Sequence, residues 1–104
     1  MKPSKLSIVS YLQEIKGELL TDGISKIALF GSFARDEATV YSDIDIAIQK
    51  EENYLNTRSA YEYFDEVLKI KNLIKKKFHR NSDIFDLDSN SSMKNSITED
   101  LIYV

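Results

Sequence analysis

The chain has 104 residues, 42% of them hydrophobic, and a formal net charge of -3. That is enough for one compact domain, here expected to span residues 1–104, and the acidic balance argues against nucleic acid as the direct partner. The absence of cysteine excludes disulfides and thiolate metal sites, and no apolar run approaches the roughly 20 residues of a membrane span, so a cytoplasmic protein is expected.

A first helix is predicted from near Ser4, after Pro3. Ile8, Leu12, Ile15 and Leu19 recur at helical spacing, Val9 and Leu20 widen the stripe, and Asp22-Gly23 supplies a stop. Lys26 to Phe30 reads as a short buried strand, broken by Gly31-Ser32, with a helical turn over Phe33 to Glu37. Asp43 to Gln49 alternates strictly, with Ile44, Ile46 and Ile48 on one face and Asp43, Asp45 and Ala47 on the other. A long helix is predicted from about Leu55 to Lys77. Its apolar stripe is Tyr63, Val67, Ile70 and Ile74, broadened by Phe64 and Leu68, and Lys75, Lys76 and Lys77 lie in its last turn. Ile84 to Asp88 reads as a third strand, Ser92 to Asp100 as a short helix and Leu101 to Val104 as an edge strand. The order implies an α/β (α+β) fold: a small mixed sheet of three to four strands with helices packed on one side.

Asp43 and Asp45, two apart on a strand, point the same way with Cα atoms roughly 6–7 Å apart. Carboxylates this close repel unless a cation neutralises them. Mg²⁺ suits them, being a hard ion usually bound by one or two carboxylates plus substrate phosphates. If the strand carrying Asp86 pairs beside this one, three carboxylates converge and can hold two metals about 4 Å apart. Gly31 lets a phosphate approach the backbone, exposed N–H groups at a helix start attract anions, and the Ser32 hydroxyl adds a donor. A nucleoside triphosphate carrying Mg²⁺ is the ligand this pairing suits.

Gly31-Ser32, ten residues, then Asp43-Ile44-Asp45 matches the Gly-Ser-x10-Asp-x-Asp signature of the polymerase-β-like nucleotidyltransferase superfamily. The run GSFARDEATVYSDIDIAI resembles the minimal nucleotidyltransferase (MNT) branch, and the likeness continues through FDLD to the terminal IYV. It departs from the common pattern at Asp36 and at Val40-Tyr41. The resemblance implies the nucleotidyltransferase fold, triphosphate binding by Gly31 and Ser32, and two Mg²⁺ ions held by Asp43, Asp45 and Asp86, with Asp88 as the rival third carboxylate. Arg35 is implied near the phosphates, although a salt bridge to a neighbouring acid explains it equally well. His79 reads as a helix-terminus residue.

Stand-alone MNT proteins are typically paired with a helical HEPN protein in toxin-antitoxin modules. The resemblance therefore implies AMP transfer from ATP to a tyrosine of a HEPN toxin, the acceptor being presented by another molecule in a homo- or hetero-oligomer. The alternatives are an antitoxin that acts by binding alone, and nucleotidyl transfer to a small molecule such as an aminoglycoside.

Overall fold

The computed structural model describes residues 2–89 and 93–104. Helix α1 (Lys5–Thr21) opens on a capping box in which Ser4 and Ser7 bond each other's backbone N–H groups. It buries Ile8, Leu12, Ile15 and Leu19, the predicted stripe. Strand β1 (Ile24–Phe30) follows at once, because Gly23 turns the chain at φ 97°. The turn packs against Tyr54: a Cβ on Gly23 would come within 2.8 Å of that ring.

After β1 the chain makes a single helical turn, α2 (Gly31–Ala34), then a loop, then β2 (Ile44–Lys50). A short turn α3 (Tyr54–Thr57) precedes the long helix α4 (Ala60–Phe78). The predicted helix from Leu55 is interrupted because Ser59 caps α4, accepting from the Glu62 N–H while the Glu62 carboxylate accepts from the Ser59 N–H, so Arg58 must be extended. The helix ends at His79, which caps it in the left-handed conformation at φ 57°. Then come β3 (Ser82–Asp86), α5 (Met93–Thr98) and β4 (Ile102–Tyr103). The predicted start of the last helix at Ser92 lies outside the described residues.

The result is a mixed α+β fold on one four-stranded sheet of order β3-β2-β1-β4. β1 runs antiparallel to β2 and β4, and β2 runs parallel to β3, α4 making the crossover. Ile44, Ile46 and Ile48 are fully buried against α1 and α4, together with Ile27, Leu29, Ile70 and Ile74. Each such side chain contributes roughly 1.5–3 kcal/mol through burial. The two long helices thus cover one face, as expected. The other carries a smaller cluster of Ala28, Phe30, Ala47 and Leu87, which α5 reaches with Ile97. That second cluster explains why IALF in β1 is apolar without interruption.

Phe64 and Leu68 do not join the core stripe. They are 68% and 47% exposed, and the position between them that turns inward is Glu66. The core of α4 is the row Glu66, Ile70, Ile74 and Phe78, flanked by Tyr63 and Val67.

Candidate active site

The end of β1 and the start of β2 lie side by side, Phe30 opposite Asp45. Gly31 therefore sits directly against the Asp45 side chain. Its φ of 76° is one that L side chains rarely adopt, and a Cβ there would strike the Asp45 carboxylate, with Cγ at 2.9 Å. No other residue fits between β1 and this carboxylate. Ser32 follows, half-buried in the first turn of α2, whose Phe33 and Ala34 anchor it in the core.

Asp43 stands exposed just before β2, and Asp45 is its second residue, half-buried on the face away from the long helices. The loop leading to them is tied down twice. Ser42 Oγ accepts from the Thr39 N–H at 2.8 Å, and the Arg80 guanidinium donates to the Ser42 carbonyl at 2.8 Å. Ile44 N–H donates to the Asn81 carbonyl, which aligns the β2 and β3 starts.

That alignment decides the third carboxylate. Asp45 pairs with Asp83, and Ile48 with Asp86. Asp83 is thus the neighbour of Asp45 on the same face, whereas Asp86 lies three residues on and points to the opposite face, with Ile84 and the helices. The expectation that Asp86 converges with Asp43 and Asp45 is corrected here. Asp86 lies three residues beyond Asp83, and an odd offset along a strand reverses the face. Asp86 instead accepts from Lys50 Nζ at 2.6 Å, and Asp88 lies 3.4 Å from the same nitrogen. Burial pushes Asp86 up, but Lys50, the Asp88 N–H and the Tyr63 hydroxyl together hold it below the usual carboxylate range. The Lys50 ammonium also lies 4.4 Å over the Tyr63 ring. Asp86 is a satisfied member of a structural network, and Asp88 lies in the same one.

Asp45 is in the contrary situation. Burial, then the charges of Asp83 and Asp43, push its carboxyl up to about 6, with only Arg35 opposing. A site that raises a carboxylate in this way has unneutralised negative charge. The donor set is all oxygen, which fits a hard divalent cation. Among the described residues no three His, Cys, Asp or Glu side chains stand close enough to form a ready cage.

Arg35 adopts the alternative reading. Its guanidinium donates to Asp100 at 2.7 Å and to Glu37 at 3.3 Å, although its charge still reaches Asp45. Asp36, next to it, is paired with Lys5 at 3.5 Å. Asp83 and Arg80 are the site residues that sequence reasoning missed. One signal was present: Asp83 is the second residue of β3 as Asp45 is of β2, visible once the parallel strands are aligned at their starts.

No helix among the described residues is long and apolar enough to cross a membrane. The family described as "Polymerase beta, Nucleotidyltransferase" matches residues 12–104. Two proteins of Methanocaldococcus jannaschii, both named "Putative protein adenylyltransferase", are similar to this chain. One is 41% identical over 87 residues, covering 78% of this chain and 77% of its own length. The other is 40% identical over 84 residues, covering 78% and 76%. A solved structure described as "Structure of putative minimal nucleotidyltransferase" superposes with a TM-score of 0.69 at 19% identity, over 96% of this chain and 95% of the other, a likeness of fold. The Gly31 cradle and the carboxylate edge therefore sit in a known framework: this chain belongs to the polymerase-β nucleotidyltransferase family and is a transferase enzyme.

Proposed function

We propose that the chain is a Mg²⁺-dependent protein adenylyltransferase that moves AMP from ATP to a tyrosine hydroxyl of a HEPN-type partner. The observation that carries the reading is the convergence of Asp43, Asp45 and Asp83 on one sheet edge, with Gly31 packed against Asp45. The names of the archaeal relatives support protein as the acceptor, and the MNT signature supports the HEPN partner.

Asp43 and Asp45, with one oxygen of Asp83 beside them, would hold the divalent metal, which supplies charge neutralisation at the reacting phosphorus. Gly31 leaves room for the triphosphate to lie against the backbone, and Ser32 Oγ donates to a phosphate oxygen. Asp83 takes the proton of the attacking tyrosine hydroxyl at its carboxylate oxygen. A bond forms between the tyrosine oxygen and the α-phosphorus, the bond from that phosphorus to the bridging oxygen breaks, and pyrophosphate leaves. The folded framework fixes Asp43 and Asp45 through the Arg80 and Asn81 contacts, so little reorganisation accompanies the reaction.

The test is incubation with α-labelled ATP, Mg²⁺ and a HEPN-type protein taken from the same genome. Label on a partner tyrosine with wild type, absent with Asp43→Asn, is the expected result. No label with wild type, or equal label with Asp43→Asn, overturns the reading.

A further inference from the structure

One open pocket of about 400 Å³ lies beside the catalytic edge without including Gly31 or Ser32. Its carboxylate side is Asp43 and Asp83, and its opposite wall is Lys71, Asn72 and Lys75 of α4, with Asn81 between them. Ser82 also lines it, buried, with an Oγ that has no partner among the described residues. Lys71 and Lys75 are exposed and form no ion pair among the described residues; Lys75 Nζ donates only to Asn81 Oδ1, at 3.4 Å. Two uncommitted ammonium groups one helical turn apart, in a chain of net charge -3, form a local site for anions.

The strand order says which anion. Gly31 follows β1, Asp45 is on β2 and Asp83 on β3, so the pocket lies across the carboxylates from the phosphate cradle. Displacement at phosphorus is in line, with the attacking oxygen arriving opposite the leaving group. With the triphosphate on the Gly31 side, the pocket on the β3 side is where the acceptor arrives. The same ridge of α4 then continues away from it as Leu68, Phe64 and Tyr61. At 100° per residue these three and the pocket residues of α4 form one stripe about 100° wide. Tyr61 is 85% exposed, and Phe64 and Leu68 lie in solvent beside it.

We propose that this stripe is the acceptor-docking surface, and that it takes a protein segment with acidic residues next to the acceptor tyrosine and apolar residues farther along. Lys71 and Lys75 pair with the acidic residues, which sets the tyrosine oxygen beside Asp83, and Phe64 and Leu68 cover the apolar ones. The inference rests on the protein-adenylyltransferase reading for its choice of tyrosine.

The test uses fluorescent synthetic peptides that share one tyrosine and a distal leucine pair and differ only in the two residues flanking the tyrosine: glutamate, glutamine or lysine. Binding to the full chain is followed by anisotropy with Mg²⁺ and a non-hydrolysable ATP analogue. The glutamate peptide is expected to bind roughly five-fold more tightly than the glutamine peptide, the scale of two exposed ion pairs. Lys71→Ala with Lys75→Ala abolishes that preference, and Lys71→Glu with Lys75→Glu turns it toward the lysine peptide. Leu68→Ser weakens all three peptides alike. Equal affinity for the three peptides, or a preference that survives charge reversal, overturns the surface. With ATP in place of the analogue, a lysine-dependent acidic preference without AMP transfer to any peptide sustains the surface and overturns the proposed reaction.

Discussion

Two groups of carboxylates lie on this small sheet, a few residues apart, and they are built in opposite ways. Asp86 and Asp88 converge on the Lys50 ammonium, which is buried enough to leave 13% of its side chain exposed. The lysine neutralises one of their two charges and Gln49 donates to Asp88, and Asp86 ionises more readily than a free carboxylate. Asp43, Asp45 and Asp83 lie together with no lysine in an ion pair with any of them among the described residues, and Asp45 ionises less readily, near pH 6. The first group has a counter-charge bound as folded, while the second has no cation paired to it among the described residues. Spacing in sequence does not separate the two, since each contains an Asp-x-Asp. What separates them is whether the fold supplies the counter-charge.

The contrast can be broken most severely at Asp45. Asp45→Asn is expected to lower nucleotidyl transfer by roughly 10³-fold, the scale on which loss of charge stabilisation in the transition state acts. In the metal-free protein it should cost no stability, because it removes a carboxylate that burial disfavours. A labelled-ATP assay and a denaturant melt together check both halves. Asp83→Asn should lower transfer by roughly 10²-fold, the typical worth of a positioned proton acceptor. Asp86→Asn should leave transfer within about two-fold but cost about 1–3 kcal/mol of stability, because Lys50 is left partly buried without its partner. A chemical melt that ranks Asp83→Asn as the more damaging to stability would contradict the contrast.

Gly31→Ala comes next. Strain at the positive φ is expected to cost about 1–2 kcal/mol, and displacement of Asp45 should reduce transfer in the same variant. The smallest effect concerns pH. Burial and the neighbouring Asp22 raise Glu66 from 4.5 to about 7. The folded state therefore holds this proton more tightly than the unfolded one. The stability it contributes is full below pH 4.5 and is lost as pH rises to about 7. Glu66→Gln should flatten the stability profile between pH 4.5 and 7, most cleanly when measured in the Asp45→Asn background, since Asp45 titrates in the same range. Urea melts at a series of pH values measure this.

The fold was largely legible, because each core strand and helix carries a clean period. Ile44, Ile46 and Ile48 name β2 unaided, and Ile8, Leu12, Ile15 and Leu19 name α1. The pair Gly31 and Asp45 was legible from motif spacing, and the structure adds the steric reason for the glycine. Two things were hidden. Phe64 and Leu68 match the helical period, but only the packing shows that Glu66 faces inward and they face outward. The third carboxylate depended on strand register, which is a tertiary property. Asp83 and Asp86 both lie in a strand, and parity alone, set by the Ile44 to Asn81 hydrogen bond, puts one beside Asp45 and the other behind the sheet.

Cation binding tests the central claim most directly, since it needs no acceptor. Mn²⁺, a paramagnetic substitute for Mg²⁺, can be titrated into the protein with a non-hydrolysable ATP analogue and followed by electron paramagnetic resonance. The Asp43, Asp45 and Asp83 edge predicts that Asp83→Asn weakens or removes one bound Mn²⁺ while Asp86→Asn binds as wild type does. Loss of Mn²⁺ in Asp86→Asn with binding intact in Asp83→Asn would contradict it.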